Sequence, residues 1–136
     1  MSTGETDLAT LLASLQPTLD PEDYVFVCLP PGTASDAEHA DLLADALATF
    51  REREGMTLIV PAKRAPTPAP VFKRIEMRVH SSLEAVGMTA ALSRALTDVG
   101  ISANVVAAFY HDHVFVPSAR ASDAMAALRA LASVGE

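Results

Sequence analysis

The stretch Tyr110-His111-Asp112-His113-Val114-Phe115-Val116-Pro117 places two histidines around one acid. Residues two apart share a face of an extended strand, so His111 and His113 are candidate metal ligands. A zinc site needs about three or four ligands, and His80 and Asp112 would have to complete it. No ligand pair of recognised spacing, such as His-Glu-x-x-His, accompanies them. Acid–base chemistry has less support, because the His–Asp pair lacks a nucleophile elbow, a glycine-rich phosphate loop or a second carboxylate. The structural alternative is a tight hairpin in which Asp112 bonds its own backbone.

Other polar positions offer recognition chemistry. Ser81 and Glu84 in Ser81-Ser82-Leu83-Glu84 have capping-box spacing, which starts a helical turn. Free N–H groups here, or at Gly87-Met88 after Val86, also suit a carboxylate, since a helix N-terminus favours anions. Gly87 would let a ligand come close to the backbone. Asn104 is an unusual strand residue, suited either to a specific hydrogen bond or to bonding neighbouring backbone. His80 ends a strand, where a lone histidine is a solvated or ligand-contacting group. His39 is expected on the surface. Cys28, the single cysteine, sits in Val25-Phe26-Val27-Cys28-Leu29 and reads as a small core residue.

The elements that must position these groups divide at Pro61-Ala62-Lys63-Arg64-Ala65-Pro66-Thr67-Pro68-Ala69-Pro70, a proline-rich linker. The expected halves are 1–66 and 67–136. In the second half, Ile75, Met77 and Val79 alternate with Arg74, Glu76 and Arg78, a half-buried strand ending at His80. Met88, Ala91, Leu92, Ala95, Leu96 and Val99 have helical spacing, and Gly100 supplies the stop. Strands over 101–110 and 113–117 form a hairpin, and Ala124, Met125, Leu128, Leu131 and Ala132 mark a last helix. In the first half, Leu8, Leu11, Leu12 and Leu15 form a helix ended by Pro17. A strand follows at 24–29. A helix capped by Ser35 and Glu38 then buries Ala40, Leu43, Leu47 and Phe50 until Gly55, and a strand covers 56–60. Tyr24-Val25-Phe26-Val27 followed by Ser35-Asp36-Ala37 echoes His113-Val114-Phe115-Val116 followed by Ser122-Asp123-Ala124. The pattern is a tandem duplication of a small α+β unit, with a strand exchanged between halves able to complete both sheets. The strands at 24–29 and 101–109 are apolar on both faces, so each needs a cover on its second face.

Bulk composition sets limits. The chain has 136 residues, half of them hydrophobic, with a formal net charge of −7. Scattered basic residues argue against nucleic acid as a partner. No apolar run reaches the roughly 20 residues of a membrane span. One cysteine and no secretory signal fit a cytoplasmic location.

Gly87-Met88-Thr89-Ala90-Ala91-Leu92, then Leu96 and Gly100-Ile101-Ser102-Ala103-Asn104-Val105, resembles the ACT-domain pattern. The string from Val79 to Pro117 is most similar to bacterial tandem ACT-like proteins, and more distantly to arginine-sensing ACT repeats. The resemblance covers 72–131 well and the first half weakly. It implies an α+β, ferredoxin-like antiparallel sheet with helices on one face, in tandem. It also implies side-by-side pairing of domains, as a homodimer or with another ACT-like domain, and amino-acid binding at a domain interface without catalysis or cofactor. The usual Asp and Pro-Gly pair of the loop are replaced here by His80-Ser81-Ser82-Leu83-Glu84-Ala85-Val86-Gly87. Asp112 aligns with an Asp in the arginine-sensing hairpin, where a carboxylate suits an ammonium or guanidinium. The expected function is a regulatory module whose ligand residues are His80, Ser81, Ser82, Val86, Gly87, Met88, Asn104, His111, Asp112 and His113. An interaction module without ligand, and a metal-binding protein using His111 and His113, are the alternatives.

Overall fold

The computed structural model describes residues 7–79 and 85–134. The elements are α1 (Leu8–Ala13), β1 (Pro17–Leu29), α2 (Ala40–Asp45), β2 (Ala48–Glu52) and β3 (Gly55–Pro61), then β4 (Phe72–Met77), α3 (Met88–Asp98), β5 (Asn104–Ala107), β6 (Asp112–Pro117) and α4 (Ala121–Val134). The chain forms two compact units: Met1–Pro21 with Lys73–Glu136, and Glu22–Phe72. The thirteen-residue β1 contributes its first residues to the larger unit and the rest to the smaller.

The larger unit has the order strand, helix, strand, strand, helix from β4 to α4, as the alternation and helical spacings predict. Its closing strand comes from residues 17–21, which lie beside β4, so the strand order is β1, β4, β6, β5. This is the ferredoxin-like arrangement with the last strand supplied from upstream of the first. Ile75, Met77, Val114 and Val116 face inward onto Leu92 and Leu96 of α3 and Ala124, Met125 and Leu128 of α4. Leu11 and Leu15, from α1 and just after it, are fully buried in the same cluster. Asp7 caps α1 by accepting from the Thr10 N–H at 3.0 Å. α3 ends in a Schellman motif: Ile101 N–H donates to Leu96 O and Gly100 N–H to Thr97 O, both at 2.9 Å. Ile101 is therefore the buried plug of a helix end, and only Asn104–Ala107 of the expected 101–110 strand forms β5.

The smaller unit corrects the sequence reading. The expected long helix from Ser35 to Gly55 is a 3-10 turn, a six-residue α2 and then β2. Ser35 is not the cap: Asp36 takes that place and makes no side-chain capping bond. Phe50, expected in the core, is 71% exposed on edge strand β2. The true pattern is strand, helix, strand, strand, with order β2, β3, β1. This matches β4, α3, β5 and β6 in succession, which changes the alignment of the repeats. Val114-Phe115-Val116-Pro117 of β6 corresponds to Leu58-Ile59-Val60-Pro61 of β3, and Tyr24–Val27 belongs to the first strand of its unit. Each third strand runs into a three-residue 3-10 turn, Ala62–Arg64 or Ser118–Arg120. There the repeats part. The larger unit continues into α4, whereas Pro66, Pro68 and Pro70 forbid a helix, and Ala62, Ala65 and Ala69 of the linker pack on the apolar cluster instead.

On the inner face of the smaller unit Val25, Leu29, Leu58 and Val60 form the core with Leu42 and Leu43 of α2. On the other face Tyr24 and Ile59 are buried, and Phe72 packs edge-on against Phe26 with centroids 5.4 Å apart. Phe72 thus supplies part of the cover that the two apolar faces require. Cys28 lies on that same face but is exposed, contrary to its expected core position.

Gly55 opens β3 with φ +149°, and a Cβ there would lie 2.3 Å from the Leu29 carbonyl oxygen. Gly55→Ala should destabilise the protein by roughly 3 kcal/mol, since a strained backbone adds to a clash with main chain. Urea denaturation checks this; a loss below about 1 kcal/mol would show that the close approach is not needed.

Candidate functional site

The hairpin joining β5 to β6 is pinned at its base. Ala107 pairs with Asp112, and Ala108 N–H donates to the His111 carbonyl at 3.1 Å. Phe109 and Tyr110 form the exposed tip, their rings edge-on at 5.0 Å. Strand alternation then separates the His-Asp-His triplet. Asp112 takes the parity of Val114 and Val116, which face the core; His111 and His113 take the opposite one.

On the outer face the two histidines meet charged residues of β4 and β1. His111 donates through Nδ1 to the Val79 carbonyl at 3.3 Å, and its Nε2 lies 3.7 Å from Glu76 Oε1. Arg74 donates twice to Asp20 Oδ2, from Nε at 3.1 Å and Nη2 at 2.8 Å, in a pair largely removed from solvent. Its Nη1 lies 3.5 Å from His113 Nδ1. A guanidinium can only donate, so His113 Nδ1 accepts and carries no proton. Burial, and after it the Arg74 charge, hold the His113 pKa below the usual histidine value, with Glu76 opposing and His111 adding to the depression. A guanidinium at this spot repels any cation that would sit on His113. Among the described residues no three potential ligands converge on a metal position. The outer face is a polar network, and Asp20, Arg74 and Glu76 belong to it although they were not among the expected site residues. The polar alternation of Arg74, Glu76 and Arg78 was the available signal.

Asp112 is in a different setting. It is only 6% exposed and the one charged side chain buried among the described residues. Loss of solvent pushes its carboxyl above the usual carboxylate range, partly offset by His111. Among the described residues no hydrogen bond or ion pair reaches this carboxyl. It lies where β6 begins, beside the end of β4, as the His111–Val79 bond shows. From that end of the sheet the chain leaves for α3. Gly87 is the N-cap of α3, with φ +98° and no side chain to cap it, and among the described residues no side chain takes its place at this end, where a helix favours anions. A side chain at Gly87 would also press on Leu8 at 3.2 Å.

The remaining expected positions scatter. Val86 is 83% exposed, whereas Met88 is buried in the core. Asn104 sits on edge strand β5, its amide 3.4 Å from the Phe115 carbonyl, a bond to neighbouring backbone. His80, Ser81 and Ser82, with the Ser81–Glu84 capping box, lie outside the described residues. His39, expected on the surface, is mostly covered, and its Nδ1 donates to the Thr33 carbonyl at 2.7 Å.

Two family models, each described as an ACT domain, match residues 3–69 and 74–130. A crystal structure of a Vibrio cholerae protein of unknown function, described as a possible transport protein, is 40% identical. It aligns over 88% of this chain and 92% of its own, with TM-score 0.76. An Agrobacterium tumefaciens protein is 18% identical over 85% of this chain and 87% of its own, with TM-score 0.68. The regulatory subunit of aspartate kinase from Thermus thermophilus, in its ligand-free form, shares the fold at 12% identity, covering 87% and 97% with TM-score 0.63. No curated protein matches the chain.

His113 makes a pH prediction. Its depressed native pKa gives stability that is present above the unfolded value of about 6.5 and lost as pH falls through the lower native value. Denaturation midpoints measured from about pH 7.5 to about pH 5.5 should fall for the wild type and fall less for His113→Gln. Equal slopes would contradict the Arg74–His113 geometry.

Proposed function

Since the chain belongs to the ACT-domain family and carries two ACT domains in tandem, we propose that it is a non-catalytic regulatory protein binding an amino acid or similar metabolite. The observation that carries this is Asp112, a buried carboxyl with no hydrogen bond or ion pair among the described residues, at the sheet end that leads toward α3, whose N-cap Gly87 has no side chain. A buried acid of this kind costs stability unless something pairs with it. In this reading the Asp112 carboxylate takes the ligand's ammonium or guanidinium, and the Ser81–Met88 segment takes its carboxylate. On the same reading 1–66 is an incomplete ACT-like repeat and 67–136 the second ACT-like domain, with the start of the chain, up to Pro21, lent to the compact unit of the second. The protein works in the cytoplasm, as a homodimer or paired with another ACT-like domain. No helix among the described residues is long and apolar enough to cross a membrane.

The exposed Phe109–Tyr110 tip supports a second reading, a protein-interaction module that needs no ligand. Thermal-shift measurement against the individual amino acids separates the two. Ligand at about 100 times its Kd stabilises by roughly 2.7 kcal/mol. At least one amino acid at millimolar concentration should raise the midpoint, and Asp112→Asn should abolish the rise while remaining folded. No rise with any amino acid would overturn the ligand reading in favour of the interaction module.

A further inference from the structure

In the larger unit α3 and α4 pack on each other and bury Leu92, Leu96, Ala124, Met125 and Leu128 in the core. Between their other faces lies a groove of about 420 Å³, lined by Ala91 and Ala95 of α3 and by Ala127, Ala130 and Leu131 of α4. Ala91 and Ala95 are one turn apart, as are Ala127 and Leu131, so each wall is a one-turn repeat along its helix. With little beyond Cβ on these walls, a further helix can lie at the short end of the usual spacing of about 8–10 Å.

Arg94 and Asp98 complete the α3 wall. Arg94 Nε donates to Asp98 Oδ1 at 3.1 Å, with the two side chains 79% and 62% exposed, and a pair so open to water contributes little on its own. Its placement also runs against the helix. Asp98 is the last residue of α3, where no basic residue accompanies it in the final turn and the dipole disfavours an acid. The base precedes the acid, the weaker order for a pair one turn apart. The pair gains little within its own helix, yet its charges are arranged to meet an inverted copy of themselves.

We propose that the groove between α3 and α4 is an interface between two copies of this chain, each inserting its α3 into the groove of the other. In a two-fold pair the same patch meets itself, so a residue that contacts a second position is contacted in return. With the two α3 helices antiparallel and Ala95 near the axis, Arg94 of each copy faces Asp98 of the other. One pairing thus forms twice across the interface, while the alanines and Leu131 cover one another. This inference rests on the homodimer reading and gives it a face made of helices, and it is independent of any amino acid at Asp112.

Sedimentation velocity of the full-length chain, from about 1 μM to about 500 μM, covers the range in which a small interface associates. The wild type should pass from monomer to dimer. Arg94→Asp and Asp98→Arg should each weaken self-association roughly tenfold or more, because each sets like charges against each other across the axis. Ala95→Glu should do the same, and circular dichroism checks that all three remain folded. An equimolar mixture of Arg94→Asp with Asp98→Arg should dimerise again. Each of these chains carries two like charges one turn apart, so recovery in the mixture can come only from contact between chains. A wild type that stays monomeric overturns both this interface and the homodimer. A dimer that folded charge variants leave unchanged, or a mixture that stays monomeric, overturns the interface alone.

Discussion

The larger unit depends on a strand that precedes its own first strand by fifty residues of sequence. From β4 to α4 it has three strands, and β4 would be an edge with unpaired backbone groups. Residues 17–21 close that edge. The pairing is antiparallel, with Arg78 N–H donating to Gln16 O at 3.4 Å near one end and Lys73 Nζ donating to the Pro21 carbonyl at 2.7 Å near the other. Between them Arg74 and Asp20 form an ion pair mostly shielded from water. α1, which leads into this strand, buries Leu11 against the same core. With β4 held on one side and β6 on the other, the His111–Val79 bond sets the start of β6 against the end of β4. The inward aim of Asp112 follows from that register, because a slip of one residue would exchange it with a histidine.

The same register explains why His-Asp-His is not one site. Alternation sends the acid toward the apolar layer and the histidines toward Arg74, Glu76 and Asp20. On the outer face each charge has an opposite neighbour, and the histidines take the tautomers that their partners dictate. On the inner face the acid is only 6% exposed and, among the described residues, has no hydrogen bond or ion pair. The first arrangement tolerates partial burial; the second is costly and makes Asp112 the group whose environment would change most on meeting a cation. In the smaller unit the position matching Asp112 is Met56, so the two units share a backbone frame while the buried acid is present in the larger one.

Much of this was legible in the sequence. The helical spacing from Met88 to Val99, the stop at Gly100 and the alternation of β4 and β6 reflect strong local periodicity, and the fold keeps them. The failures came where periodicities coincide. Ala40, Leu43, Leu47 and Phe50 satisfy helical spacing, yet Ala46 turns extended and α2 ends after six residues. Thr49-Phe50-Arg51-Glu52 is too short an alternation to compete with that pattern. Phe50 on the outside also shows that hydrophobicity does not by itself assign burial. The misplaced repeat had a related cause: Val-Phe-Val occurs in two strands of different rank, and only the pairings of β3 with its neighbours reveal that Leu58–Pro61 is the true counterpart of β6. The burial of Asp112 was legible in parity alone, once β6 was known to begin at residue 112.

The central proposal is that Asp112, a buried carboxyl with no hydrogen bond or ion pair among the described residues, takes a cation from a ligand. The most direct measurement is an NMR titration of its side-chain carboxyl carbon in the ligand-free, full-length chain. The account predicts a midpoint above the ordinary value of 3.8, moving down when an amino acid that stabilises the protein is added. A midpoint at or below 3.8 in the ligand-free chain would mean that the carboxylate already has its partner within the protein, and would contradict the account.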